Sequence, residues 1–308
     1  MYITRGEPVR SSYVVILAST LMLGSSAPIP LKLDHVGICA YDLQSLQDAF
    51  ASVGLRAEYG GAHATGGTHN ALLGFDDGSY IELIALQKPG SVADDRWNTS
   101  KPGTSHACFW AVHTDDLKSQ VDAFRNAKLE SSDPQPGSRK KPDGTVLQWQ
   151  TAATPDDKGG DILPFAIQDI TPRSSRIQPS TSVKGSELTG VTRVVIGVND
   201  LSAAIALYRR AYGLGEPQLA TNDKFEAKLA YFTGTAVVLA SPVSKDSWLS
   251  EHLRQFGQGP VAVLLGAKST KKVGDRTPLV GKTSWFGSEV LWFPPEKLEG
   301  VRLGVISE

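Results

Sequence analysis

Cysteine is nearly missing: 308 residues carry only two, Cys39 and Cys108, each inside an apolar, strand-like run. So small a number excludes a disulfide scaffold or an all-thiolate structural zinc site, and the expectation is two buried free thiols. An excess of charge of either sign is missing as well. Thirty-one Lys and Arg face 32 Asp and Glu, a net charge of −1. The basic clusters "RKKP" and "KSTKK" are short and lie beside loop-forming residues, so no extended positive face for nucleic acid is built. Nucleophile elbow, phosphate loop and dinucleotide fingerprint are all absent, and "GLGEP" lacks the following helix that a nucleotide site needs. Long hydrophobic runs are limited to "SYVVILASTLMLGSSAP" near the N-terminus, too short to span a bilayer comfortably. Two arginines before it and small residues after it give the pattern of a signal peptide, whereas Glu7 and Pro28 oppose cleavage and Met22 offers a later start. Residues 1–30 therefore read either as a cleaved export signal or as an N-terminal extension, and the compartment as exported or cytoplasmic accordingly.

What is present is a globular composition, 41% apolar and 20% charged, long enough for two domains with their own cores. In "LDHVGICAYDL", residues 33–43, alternation puts His35, Gly37 and Cys39 on one face and Val36, Ile38 and Ala40 on the other. Leu43, Leu46, Phe50 and Val53 then recur at helical spacing, stopped by Gly54. "LRAEY", "THNALLGF" and "SYIELIAL" follow as strands, with "DDG" as the last turn. The unit is strand, helix, three strands.

That unit repeats. An Asp-Leu pair followed by an aromatic eight residues after the aspartate occurs at Asp42, Leu43 and Phe50, at Asp116, Leu117 and Phe124, and at Asp200, Leu201 and Tyr208. The aspartate caps a helix and the aromatic anchors its inner face on a sheet. A fourth, worn copy uses "GPVAVLLGA" as its first strand and "SEVLWFPPEKLEGVRLGVIS" as its last two, with a weak helix between. The segment 173–190, rich in Ser, Thr, Pro and Gly, reads as a linker. The expected organisation is a two-module domain at 31–172 and a second, degenerate module pair at 191–308.

Paired strand–helix–three-strand units resemble the vicinal oxygen chelate superfamily, which includes glyoxalases, bleomycin-resistance proteins and extradiol dioxygenases. "GGAHATGGTHNALLGFDDGSYIELIAL" resembles its glyoxalase-like branch more narrowly, through His63, Gly67, Thr68, Asn70, Tyr80, Glu82 and Leu83. "SRKKPDGTVLQWQTA" and "ILPFAIQ" do so through Arg139, Pro142, Asp143, Gly144, Trp149, Pro164 and Phe165. The resemblance implies an α+β fold in which paired βαβββ modules form cup-shaped half-barrels, here two module pairs. It also implies that His35, Tyr80, Glu82 and Ile84 face the cup, while Ile81, Leu83 and Ala85 lie under the helix.

In metal-dependent relatives the first strand of a module gives a His or Gln and the last a Glu. This implies a divalent metal (Zn, Fe, Mn or Ni) on His35 and Glu82, with His106 completing the set if its strand slips or bulges. The alternative is that His35 and Glu82 simply hydrogen-bond one another in a sheltered cup. The second copy has Phe109 at the histidine position and Phe165 or Gln168 in place of the carboxylate; the third has Arg193 and Val238. His35, Glu82 and His63 are the candidate catalytic residues, and Thr68, Asn70, Tyr80, Arg139, Trp149 and Phe165 the candidate substrate contacts. The expected function is an enzyme of isomerase, lyase or dioxygenase type acting on a small oxygenated molecule. The other reading is a non-catalytic protein that sequesters such a molecule. The expected partner is that ligand, with no nucleic acid and no membrane for the mature chain; a homodimer is left open.

Overall fold

The computed structural model of the protein describes residues 1–2, 31–64, 67–88, 101–154 and 162–308. The export-signal reading and Met22 fall outside them. Among the described residues no helix is long and apolar enough to cross a membrane.

The first module is β1 (Leu33–Ala40), α1 (Leu43–Ser52), β2 (Glu58–His63), β3 (Thr68–Gly74) and β4 (Tyr80–Leu86). The second is β5 (His106–His113), α2 (Leu117–Asn126), β6 (Gln135–Lys140), β7 (Val146–Ala152) and β8 (Phe165–Asp169). A short helix α3 (Arg173–Arg176) leads into the third module: β9 (Leu188–Gly197), α4 (Leu201–Tyr212), β10 (Gln218–Asn222), β11 (Ala227–Tyr231) and β12 (Val237–Pro242). After α5 (Trp248–Phe256) comes the fourth: β13 (Gly259–Ala267), α6 (Thr270–Gly274), β14 (Val280–Trp285), β15 (Ser288–Trp292) and β16 (Leu303–Ser307). Its helix is a single short turn and a half, which is why its periodicity is faint.

The Asp-Leu repeat has a direct structural cause. Asp42, Asp116 and Asp200 are the N-caps of α1, α2 and α4, and each side chain accepts the backbone N–H three residues on. Such a cap contributes about 1 kcal/mol to each helix. Phe50, Phe124 and Tyr208 lie fully buried one face further along. Val36, Ile38, Ala40, Ile81, Leu83 and Ala85 pack beneath α1 in a core that continues into β9, α4 and β13 of the C-terminal half. One continuous apolar cluster thus joins the two halves. Two hydrogen bonds reinforce it: Tyr208 Oη donates to the Ile162 carbonyl (2.5 Å) and Val191 N donates to Ser79 Oγ (2.8 Å).

Strands of the first two modules form a ring in the order β1-β4-β3-β2-β6-β7-β8-β5. β1 pairs parallel with β4 and antiparallel with β5, so the first strands of the two modules are neighbours. At the other seam, among the described residues, Ala62 pairs with Lys140 and His63 with Arg139, and Ala64 N donates to the Ser138 carbonyl at 3.1 Å. The third and fourth modules form a second eight-stranded sheet, β10-β11-β12-β9-β13-β16-β15-β14. Its inner face is filled by Val195, Phe225, Val238, Trp285 and Leu249 and Leu253 of α5.

The two cysteines are not free thiols: Cys39 and Cys108 form a disulfide. The register of β1 on β5 shifts between Gly37 and Ile38, where a bulge adds one residue, Cys108, to β5. A bulge turns its extra side chain to the opposite face, and Cys108 thereby joins Cys39, Ile84 and Phe109 in one cluster inside the cup. Cysteine count alone carries no information on this; adjacency of the two first strands does.

Candidate functional site

The site is assembled from β1, β2 and β4. β1 and β4 are in parallel register with His35 opposite Tyr80 and Gly37 opposite Glu82. His35 and Glu82 therefore point into the ring from adjacent strands, and His35 Nε2 lies 3.5 Å from Glu82 Oε2. His63, at the end of β2, brings its Nε2 within 3.6 Å of Glu82 Oε1. The carboxylate thus stands between two imidazoles, one on each oxygen. All three line a cavity of about 200 Å³ inside the first ring.

Each of these side chains is held by others. Asp34 Oδ1 lies 2.6 Å from His35 Nδ1, and an ionised carboxylate can only accept, so the imidazole donates there and turns Nε2 toward the cavity. Tyr80 stacks on His35 with ring centroids 4.6 Å apart. Asn70 Nδ2 donates to Glu82 Oε1 at 2.6 Å, while Asn70 Oδ1 is buried without a hydrogen-bond partner. Thr68 Oγ1 meets His63 Nδ1 at 2.7 Å, so Thr68 acts on the site through His63 rather than by lining the cavity. Trp149 and Phe165 form apolar walls, edge-on to His63 and His35 at 6.3 and 5.5 Å. Phe109 closes the floor over Gly37, where a Cβ would fall 2.2 Å from its ring, so any side chain there would have to displace that ring. Burial pushes the pKa of His63 down, Glu82 opposes this and Arg139 adds to it, leaving the imidazole below its ordinary range. It is neutral at pH 7, ready to accept a proton or donate a lone pair.

His106 is not brought to this group. β5 runs antiparallel to β1, so stepping back from Phe109 leads toward Cys39 and away from His35. The ring of His106 stacks on Phe256 at 4.0 Å, at the far end of the ring. The bulge that could have moved it inward brings in Cys108 instead. Gln168 likewise leaves the cup: its side chain caps α2, accepting from Leu117 N at 3.0 Å and donating to the Asp115 carbonyl at 2.9 Å.

Beneath His35 lies a group that composition and periodicity did not single out. Asp34 is fully buried and Arg176 nearly so. Arg176 Nη1 and Nη2 donate to Asp34 at 3.1 and 3.0 Å, and its Nε and Nη2 to Asp169 at 2.6 and 2.8 Å. Arg173 also pairs with Asp34, and Arg176 Nη1 donates to Tyr80 Oη at 2.6 Å. Burial pushes the Asp34 carboxyl up, but the His35 hydrogen bond and the Arg176 charge outweigh it and hold the pKa well below the carboxylate range. A sequence signal did exist: an aspartate in an apolar strand demands a cation, and "TPRSSR" supplies two arginines in what reads as a linker.

Asp34, His113 and Asp169 present ligand atoms within 4.8 Å of one another, a potential metal-binding triad. Two guanidinium groups already neutralise both of its carboxylates. The donor set in the cup suits a cation better. With Nδ1–H committed to Asp34, His35 Nε2 and the Glu82 carboxylate are two acceptors facing each other at 3.5 Å. Such a pair needs a proton or a cation between them. The buried aspartate behind the imidazole is also the usual support of a metal-ligating histidine.

Comparison with known proteins sets these observations in a class. Paired βαβββ modules and the glyoxalase-like family match define a protein of the vicinal oxygen chelate superfamily. The chain belongs to the glyoxalase-like domain family, whose model matches residues 33–214, that is, the whole first ring and the third module through α4. No curated protein matches it. Over most of its length it is similar in structure to a hypothetical protein from Staphylococcus aureus, at 13% identity and a TM-score of 0.60, covering 90% of this chain and 99% of that one. It is equally similar to a mutant of 4-hydroxymandelate synthase from Streptomyces coelicolor, at 14% identity and a TM-score of 0.62, covering 91% and 93%. A Streptomyces coelicolor methylmalonyl-CoA epimerase variant, in complex with 2-nitronate-propionyl-CoA, matches 39% of this chain and 95% of its own at 21% identity and a TM-score of 0.34.

Proposed function

We propose that the first ring is an enzyme site that binds a small oxygenated organic molecule and moves a proton next to its carbonyl or hydroxyl oxygen. The observation that carries this is the Glu82 carboxylate between His35 Nε2 and His63 Nε2 inside one cavity. Glu82, desolvated and oriented by Asn70, is the base; His63, neutral near pH 7, relays the proton; His35, fixed by Asp34, stays aimed at the substrate oxygen. A divalent metal, when bound, would be held by His35, Glu82 and His63 and would polarise that oxygen. His106 has no part in it. Isomerase and lyase chemistry need only the proton transfer, and dioxygenase chemistry needs the metal as well.

A second reading, non-catalytic sequestration, draws support from the second sheet, which keeps the architecture with a filled, apolar inner face. A thermal-shift screen of small oxygenated molecules, followed by turnover of each hit, separates the two. Enzyme action predicts turnover by the wild type that falls about 100-fold or more in Glu82→Gln, with metal content read in parallel on protein purified without chelator. Binding retained in both proteins with no turnover in either overturns the enzyme reading in favour of sequestration.

A further inference from the structure

Among the charged groups around the cavity, Arg139 is the odd one out. Arg173 and Arg176 are neutralised by direct pairs with Asp34 and Asp169, and Glu82 is engaged by Asn70, His35 and His63. Arg139 is 3% exposed and lines the same cavity, yet no carboxylate among the described residues forms an ion pair with it. Its partners are two backbone carbonyls: Nη1 donates to Gly60 and Nη2 to Arg176, the latter at 3.3 Å. These use two of a guanidinium's five N–H donors.

Glu82, on the same cavity, acts on Arg139 only through space, and a buried guanidinium without a direct ion pair gains from an anion bound beside it. The position is built for the purpose. Gly60 admits both Asn70 and the guanidinium, since a Cβ there would fall 2.3 Å from Asn70 Oδ1 and 2.8 Å from Arg139 Nη1. Tyr80 Oη accepts its hydrogen bond from Arg176, leaving its own proton to be donated, and Tyr80 lines the cavity too. A planar fork and a hydroxyl donor beside apolar walls of Ile84, Phe109 and Trp149 match a carboxylate on a short apolar or aromatic body.

We propose that the cup selects small monocarboxylates, with the ligand carboxylate on Arg139 and Tyr80 and its reactive carbon toward His35 and Glu82. This rests on the reading of the first ring as the ligand site. Arg139 is here a specificity-determining residue.

The test uses the full chain and matched probes: phenylpyruvate against phenylacetone, which lacks only the carboxylate, and benzoate against benzamide. Affinity is read by calorimetry, and location by the ring resonances of His35 and His63 in histidine-labelled protein. The carboxylates are expected to bind, to shift both histidines, and to lose at least about tenfold in affinity in Arg139→Met and in the charge-retaining Arg139→Lys. Neutral probes that bind as well as their acids and shift the same histidines overturn the carboxylate preference and leave the ligand site standing. Carboxylates that bind without moving either histidine overturn the site itself. Failure of both acids to bind, with the wild-type fold intact by circular dichroism, also overturns the proposal.

Discussion

At the scale of single residues, His35 sits in an apolar strand because it is supported from both sides. Asp34 takes its Nδ1 proton, and Glu82 faces its Nε2. Asp34 in turn is tolerable at zero exposure only because Arg173 and Arg176 reach it from the segment after β8. Removing one partner of a buried ionic group costs far more than the pair contributes, since the others are left uncompensated. Asp34→Asn is accordingly expected to lower stability by about 3 kcal/mol in chemical denaturation; a change within 0.5 kcal/mol, about that of a neutral surface substitution, would show the network to be idle. The pH dependence has the same origin. The folded Asp34 carboxyl has a pKa below its ordinary 3.8, so the stabilisation is complete above that value and is lost as pH falls through the lower, folded one.

At the scale of elements, the pairing of β1 with β5 joins the two modules of the first ring, and the Cys39–Cys108 disulfide crosses this seam. It closes a loop of 69 residues, for which chain entropy predicts about 4 kcal/mol of stabilisation. Cys39→Ser paired with Cys108→Ser should lose that much, and a reductant should bring the wild type to the same midpoint. Equal midpoints for reduced and oxidised wild type would contradict it. The module pattern was legible in the sequence because it rests on local physics: an aspartate cap, an aromatic eight residues on, and strand alternation. The inward face of β1 and β4 follows from the same alternation. The disulfide was not legible, because it depends on one extra residue in β5 that reverses the facing of Cys108. His106 failed as a ligand for a related reason, since only the antiparallel direction of β5 decides which end of the ring it reaches. Arg176 was hidden by its neighbours, Ser and Pro residues that read as a plain connection.

At the scale of the molecule, the two sheets put one architecture to different uses. The first ring keeps a polar hollow whose donors come from module one and whose Arg139, Trp149 and Phe165 walls come from module two. The second fills the corresponding space with Val195, Phe225, Val238 and Trp285, and shares a continuous core with the first. At the place equivalent to His35 stands Arg193, lying over the Tyr231 ring at 4.4 Å. Among the described residues the His35–Glu82–His63 group lies in one half, and the other half shares its core. The convergence of His35, His63 and Glu82 in that half is tested most directly by titrating the histidine ring signals of wild type and Glu82→Gln, with no ligand needed. Because the Glu82 charge holds the His63 pKa up against burial and Arg139, its midpoint is predicted to drop further below 6.5 in the variant, and the His35 Nε2 signal to move with it. An unchanged His63 midpoint together with an unmoved His35 signal would mean that the carboxylate does not stand between them.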